Sequence, residues 1–145
     1  MRICVIDGQG GGIGAALIKR LKEVYSEDHD VIALGTNAVA TAQMMKARAN
    51  KGASGENAIC RTVLKADVIL GCLSIVLANS MMGEVTQKMA EAIASAPAPK
   101  ILLPLTQERV EIVGLSPEPL PHLEKDRQPT FKGDSRPCVK LQPIS

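Results

Sequence analysis

Aromatic residues are almost absent from this chain: across 145 residues there is one tyrosine, Tyr25, one phenylalanine, Phe131, and no tryptophan. A core must therefore be assembled from Val, Ile, Leu, Ala and Met, and stacking platforms for single-stranded nucleic acid are missing. Charge of one sign is scarce too, with 17 basic against 15 acidic residues and a net charge of +2. No basic face follows from that balance, so nucleic acid is excluded as a partner. The four cysteines, Cys4, Cys60, Cys72 and Cys138, form no C-x-x-C pair, and His29 and His122 are isolated, so metal-ligand spacing is lacking and no metal site is expected. Cys4 and Cys72 fall in apolar runs, where a free thiol behaves as a small hydrophobe, which fits a reducing cytoplasm. The longest apolar run, Val68 to Ala78, is too short to span a bilayer, and the fold is expected to begin at residue 2 with no signal peptide or membrane segment.

What the chain does have is concentrated at its start. Arg2-Ile3-Cys4-Val5-Ile6-Asp7 reads as a buried strand, and Gly8-Gln9-Gly10-Gly11-Gly12-Ile13-Gly14 follows it directly. Behind the glycines comes an amphipathic helix with Leu17, Ile18, Leu21, Val24 and Tyr25 along its apolar stripe. Glycines in such a turn allow φ > 0 and let a phosphate approach without meeting a Cβ. The helix start adds unpaired N–H groups and a positive dipole end, which together favour an anion.

Two fingerprint registers fit. Gly10-x-Gly12-x-x-Ala15 matches the dinucleotide pattern with Ala in its last place, and Gly8-x-x-x-Gly12-Ile13-Gly14 resembles the turn of short-chain dehydrogenases. No Lys-Ser/Thr pair follows, so a P-loop is excluded. Two features oppose a working dehydrogenase. The acid that dinucleotide folds carry at the end of the second strand is replaced by Gly35-Thr36-Asn37. The lone Tyr25 is followed four residues later by His29, not by the lysine a short-chain dehydrogenase needs, and it sits at the far end of the helix from the glycines.

Further along, Val31 to Leu34 reads as strand two and Ala38 to Arg48 as helix two, with Thr36 or Asn37 as its N-cap. Residues 49–57 read as a loop, Ala58 to Leu64 as a short third strand or a short helix with the strand preferred, and Asp67 to Cys72 as strand four. Thr86 to Ala96 forms a helix stopped by Pro97, Lys100 to Leu105 a strand, and the alternating Val110 to Gly114 an edge strand. The expected fold is α/β, a three-layer sandwich around a mostly parallel sheet of five or six strands. Residues 1–115 form the nucleotide-binding domain of this reading. Residues 116–145, rich in proline and without apolar periodicity, form an extended tail that is expected to pack on its own domain or on a neighbouring subunit, the alternative being a loosely held arm.

The candidate binding residues are Asp7, Gly8, Gln9, Gly10, Gly11, Gly12, Ile13, Gly14, Thr36, Asn37 and Gly71. The N–H groups of Gly12, Ile13 and Gly14 would face the anion, Thr36 and Asn37 the sugar, and Gly71 would admit the rest of the ligand. Asp7 could hold a metal or ribose, or else bond the loop amides and fix the turn. Thr36 and Asn37 are equally suited to capping. Cys72 lacks a base to activate it, and no catalytic residue is assigned. Glu56 and Asn57 are read as turn and cap residues facing away from the site. Met44-Met45 and Met81-Met82 are read as packing, and a homodimer is expected.

Taken together, residues 3–14, Ala33-Leu34-Gly35-Thr36-Asn37 and Gly52-Ala53-Ser54-Gly55-Glu56-Asn57-Ala58-Ile59 resemble a small family of anaerobic, Clostridia-like bacteria described as a domain of unknown function. The resemblance covers about residues 2–114 and implies a compact Rossmann-like domain without an assigned ligand; Thr106 to Arg109 and the tail depart from it. The leading expectation is a sensor or accessory subunit that binds a phosphorylated ligand, with NAD or NADP as the cofactor class. An NAD(P)-dependent reductase or a transferase completed by a partner subunit is the first alternative. A structural assembly module is the second.

Overall fold

The computed structural model describes residues 1–106 and 108–114. Strand β1 (Arg2–Asp7) leads through the glycine loop into helix α1 (Gly12–Tyr25). β2 (Asp30–Gly35), α2 (Ala38–Lys46), β3 (Lys51–Ser54) and α3 (Glu56–Thr62) follow, then β4 (Val68–Cys72), α4 (Gln87–Ser95) and β5 (Lys100–Leu103). Single 3₁₀ turns at Val63–Lys65 and Leu73–Val76 flank β4. The sheet has five strands in the order β3-β2-β1-β4-β5, and every pairing is parallel.

The apolar run of β1 is continuous because helices cover both faces of the sheet, as parallel sheets require. Its side chains alternate: Ile3 and Val5 pack with Ile18, Leu21, Val31 and Met44 under α1 and α2. Cys4 and Ile6 pack with Ile59, Val63, Met89 and Ile93 under α3 and α4. Asp7 continues the alternation onto the α1 face, which decides its partners below. Burial raises the Cys4 thiol to about 11 and also raises Cys72, so both remain protonated near neutral pH.

Two expectations are corrected. The segment preferred as a third strand, Ala58 to Leu64, begins in α3 and ends in a 3₁₀ turn. Gly55 turns the chain at φ 96, Glu56 supplies a carboxylate to the first helical turn, and Ile59 and Val63, four apart, are both fully buried on one face. The third strand lies earlier, at Lys51–Ser54, within the stretch read as loop. The expected edge strand at residues 110–114 is not formed: β5 is the last strand among the described residues, and Val113 is 96% exposed. The tail at 116–145 lies outside the described residues, so the packing expected of it does too.

Candidate functional site

The carboxyl ends of the parallel strands and the amino ends of the helices meet along one edge, where α/β sheets of this kind bind ligands. The chain reverses its strand order between β1 and β4. The glycine loop stands on one side of that point and the segment joining β4 to α4 on the other.

β1 stops at Asp7 and α1 starts at Gly12, so the register Gly8-x-x-x-Gly12-Ile13-Gly14 is the one that coincides with the element boundaries. Within the loop the glycines divide by environment. Gly11 has φ 74, and a Cβ there would stand 2.7 Å from both the Cα and the carbonyl oxygen of Ala40. A Cβ on Gly14 would strike Met44 and come within 2.9 Å of Asp7 Cβ. One on Gly8 would lie 2.6 Å from Met81 Sδ and from Thr36 Oγ1, and 2.9 Å from Glu84 Oε2. At Gly10 and Gly12 a Cβ would meet nothing within 4 Å, and neither residue needs positive φ.

Asp7 is buried, 4% exposed, with its carboxylate turned into the start of α1. Oδ1 accepts from Gly8 N–H at 2.8 Å and Oδ2 from Gly14 N–H at 2.7 Å. Burial raises its pKa; the bonds from Gly14, Gly8 and Ile13 pull it back, and the Glu84 charge raises it again. Of the two roles open to Asp7 in the sequence, this geometry is that of fixing the turn. The Gly14 amide, expected to face an anion, is engaged by Asp7, and the Gly11 amide donates to Gly8 O at 2.9 Å. The open amides of the loop are those of Gly10 and Gly12.

Thr36 and Asn37 follow β2 directly. Asn37 caps α2, its Oδ1 accepting from Ala40 N–H at 2.8 Å, while its Nδ2 donates to Gln9 O at 3.0 Å. Both residues also bond to a group that sequence reasoning passed over. Glu84 Oε1 accepts from Asn37 Nδ2 at 2.8 Å; its Oε2 accepts from Gln9 N–H at 2.6 Å and from Thr36 Oγ1 at 3.3 Å. The segment carrying Glu84 is tightly wound: Asn79, Met81 and Met82 have φ of 65, 55 and 57, and Gly83 has φ 87. Left-handed backbone at three non-glycine residues is costly and is held here by contacts on both sides. Met81 N–H donates to Glu108 Oε1 at 3.1 Å, and Ser80 Oγ donates to Ser74 O at 2.5 Å. The only sequence trace of this role is an acid beside a glycine in the β4–α4 connection.

Gly71 is buried, and the space a Cβ would need is closed by Ile75 Cδ1 at 2.7 Å and Ile6 O at 2.8 Å. Its glycine is thus required for packing. Glu56 lies on the site edge and not away from it, because it follows a strand. Its Oε2 accepts from Thr86 Oγ1 at 2.6 Å, tying α3 to α4. Glu56, Thr86, Gln87 and Lys88 join Asn79 and Gly83 around an open polar depression of about 370 Å³. Exposed Asn57 lies beside Glu56 in the first turn of α3.

An all-parallel five-stranded sheet in the order 3-2-1-4-5, with helices on both faces and a glycine turn at the switch point, defines a Rossmann-like α/β protein. The chain belongs to the family described as a domain of unknown function, DUF3842, whose model matches residues 2–130. The match runs past residue 114, where the resemblance read from the three sequence blocks stops, and takes in part of the proline-rich tail. Searches of curated proteins and of solved structures find no match. No helix among the described residues is long and apolar enough to cross a membrane.

Proposed function

We propose that the chain binds a nucleotide or a related phosphorylated ligand at the outer half of the glycine loop, as a sensor or accessory subunit. One observation carries this reading: Gly10 and Gly12 are glycines that the fold does not need. Nothing stands within 4 Å of the Cβ either would bear, neither has positive φ, and both flank open amides at the start of α1. Within a helical turn glycine is less favourable than Ala, as at Gly12 in the first turn of α1, and a glycine kept there or at Gly10 without a packing reason points to something that must come close from outside. Charge-assisted bonds from two such amides, aided by the helix dipole, contribute on the order of 2–4 kcal/mol to binding a phosphate.

The reading of the chain as a binder and not a stand-alone catalyst rests on its side chains. Cys4 and Cys72 are buried with raised pKa values, Asp7 is committed to the turn, and Tyr25 lies at the opposite end of α1. The hydroxyls that stand beside carboxylates at the site, Thr86 against Glu56 and Thr36 against Glu84, join one element to another and so serve the scaffold. The described cysteines, Cys4, Cys60 and Cys72, are free thiols, which suits a reducing cytoplasm.

Calorimetric titration of the full chain with ADP and with NAD tests the proposal. Gly12→Val should lower affinity at least roughly tenfold by blocking the amides with a branched side chain, while the melting temperature holds. Binding that is unaltered in Gly12→Val removes the basis of the reading.

A further inference from the structure

Dinucleotide-binding folds place an acid at the end of their second strand to accept the ribose hydroxyls, and this chain has Gly35-Thr36-Asn37 there. In space a carboxylate does stand at that position, delivered by the β4–α4 segment. We propose that Glu84 is the acceptor for the vicinal 2′- and 3′-hydroxyls of a nucleotide ribose, and that it makes the site selective for dinucleotides of the NAD type over their 2′-phosphorylated counterparts. This inference rests on the nucleotide-binding reading above and names its ligand class.

Glu84 bridges the two parts of the fold that flank a ribose. Gln9 N–H from the glycine loop donates at 2.6 Å, and Asn37 Nδ2 and Thr36 Oγ1 from the end of β2 donate at 2.8 and 3.3 Å. Thr36 and Asn37, expected to touch the sugar themselves, are instead the residues that hold Glu84. Asn37 is fixed in turn by its bonds to Ala40 N–H and Gln9 O, so the carboxylate rests on a rigid base.

A carboxylate has about four acceptor positions, and the fold fills three of Glu84's. The remaining one, on Oε1, is open to a hydroxyl donor, and the Thr36 bond is long enough to yield to a second. Gly8 fits the same picture, since a Cβ there would stand 2.9 Å from Glu84 Oε2. Selectivity follows from charge. Glu84 lies close enough to Asp7 to raise its pKa, and among the described residues no lysine or arginine bonds to either carboxylate. A diol donates into such a place, whereas a 2′-phosphate brings like charge and no donor.

The test is calorimetry on the full chain with NAD, NADP and the 2′-deoxyadenosine analogue of NAD. Wild type should bind NAD at least roughly tenfold more tightly than either of the others, the size expected when a hydrogen bond to a charged group is lost. Glu84→Gln, near-isosteric and checked by its melting temperature, should lose about tenfold for NAD and close the gap to NADP. Equal affinity of wild type for all three ligands overturns the assignment without recourse to any variant. Tighter NAD binding by Glu84→Gln also overturns it, and would mean that Glu84 occupies the site as an internal competitor. Dinucleotide binding that is lost in Gly12→Val but indifferent to Glu84→Gln defeats the ribose assignment alone. Absence of binding to wild type defeats it together with the reading beneath it.

Discussion

The two halves of the glycine loop share a residue type and little else. The inner half, Gly8, Gly11 and Gly14, faces Met81, the backbone of Ala40, Met44 and Asp7, and each of its glycines is there because a Cβ would collide. The outer half, Gly10 and Gly12, faces open space. One short motif is therefore two superimposed patterns, one serving the approach of α2 and of the β4–α4 segment to the loop, the other left over. A glycine fingerprint read as a single unit confuses them, and only the left-over members speak about a ligand.

That division can be broken most forcefully at Gly11. Alanine there must hold φ near 74 and would press its Cβ against Ala40 Cα and O at 2.7 Å. A left-handed alanine costs roughly 1–2 kcal/mol and the forced backbone shift about 1–3 more. Gly11→Ala should thus lose about 2–5 kcal/mol in urea unfolding, a large part of a typical domain's stability. A loss under about 0.5 kcal/mol, the scatter of an ordinary surface substitution, would show that the inner half is not structural.

Asp7 offers the next largest effect. Asp7→Ala strips the acceptors from Gly8 N–H and Gly14 N–H, and should cost about 1–3 kcal/mol. The pH dependence sharpens the claim. Because burial raises Asp7 above its ordinary value of 3.8, the folded state holds its proton more tightly than the unfolded one. Its stabilising contribution is complete below the unfolded pKa and falls as pH rises through the folded pKa. The gap between wild type and Asp7→Ala should accordingly be wider at pH 4 than at pH 7. A gap that widens towards pH 7 would mean that the bonds from Gly14, Gly8 and Ile13 outweigh burial.

Much of this architecture is legible in the sequence, and what is hidden has physical reasons. β1, β2 and β4 announce themselves because strands covered on both faces are apolar along most of their length, as Ile3 to Ile6 and Val68 to Leu70 are, and the half-buried edge strand β5 still shows in Ile101-Leu102-Leu103. β3 is an edge strand of Lys51-Gly52-Ala53-Ser54, mostly exposed, with no apolar pattern to betray it. Missing it shifts α3 into a strand's place and turns Glu56 to the wrong edge of the sheet. Ile59 and Val63 are four apart, the helical spacing, but a run of seven residues is too short for periodicity to prevail over a strand reading. At the site, Gly8 to Gly14 could be found because strand, turn and helix are contiguous. Glu84 could not, since it reaches Asn37 across 47 positions of chain on a left-handed turn that propensities disfavour. The end of β2 lacks an acid in sequence, yet in space Glu84 stands there, bonded to Thr36 and Asn37.

The smallest expected effect is the most discriminating. Gly10→Ala and Gly12→Ala place a methyl where nothing lies within 4 Å, so each should change stability by no more than about 0.5 kcal/mol, with Gly12→Ala on the stabilising side because alanine favours a helical first turn. If both variants melt as wild type does while Gly11→Ala collapses, the loop is divided as described, and any loss of nucleotide affinity in the outer pair can be assigned to the ligand's approach and not to damage in the fold. If Gly10→Ala or Gly12→Ala unfolds the protein, those positions serve packing after all. No glycine of the loop would then be left for a ligand to explain.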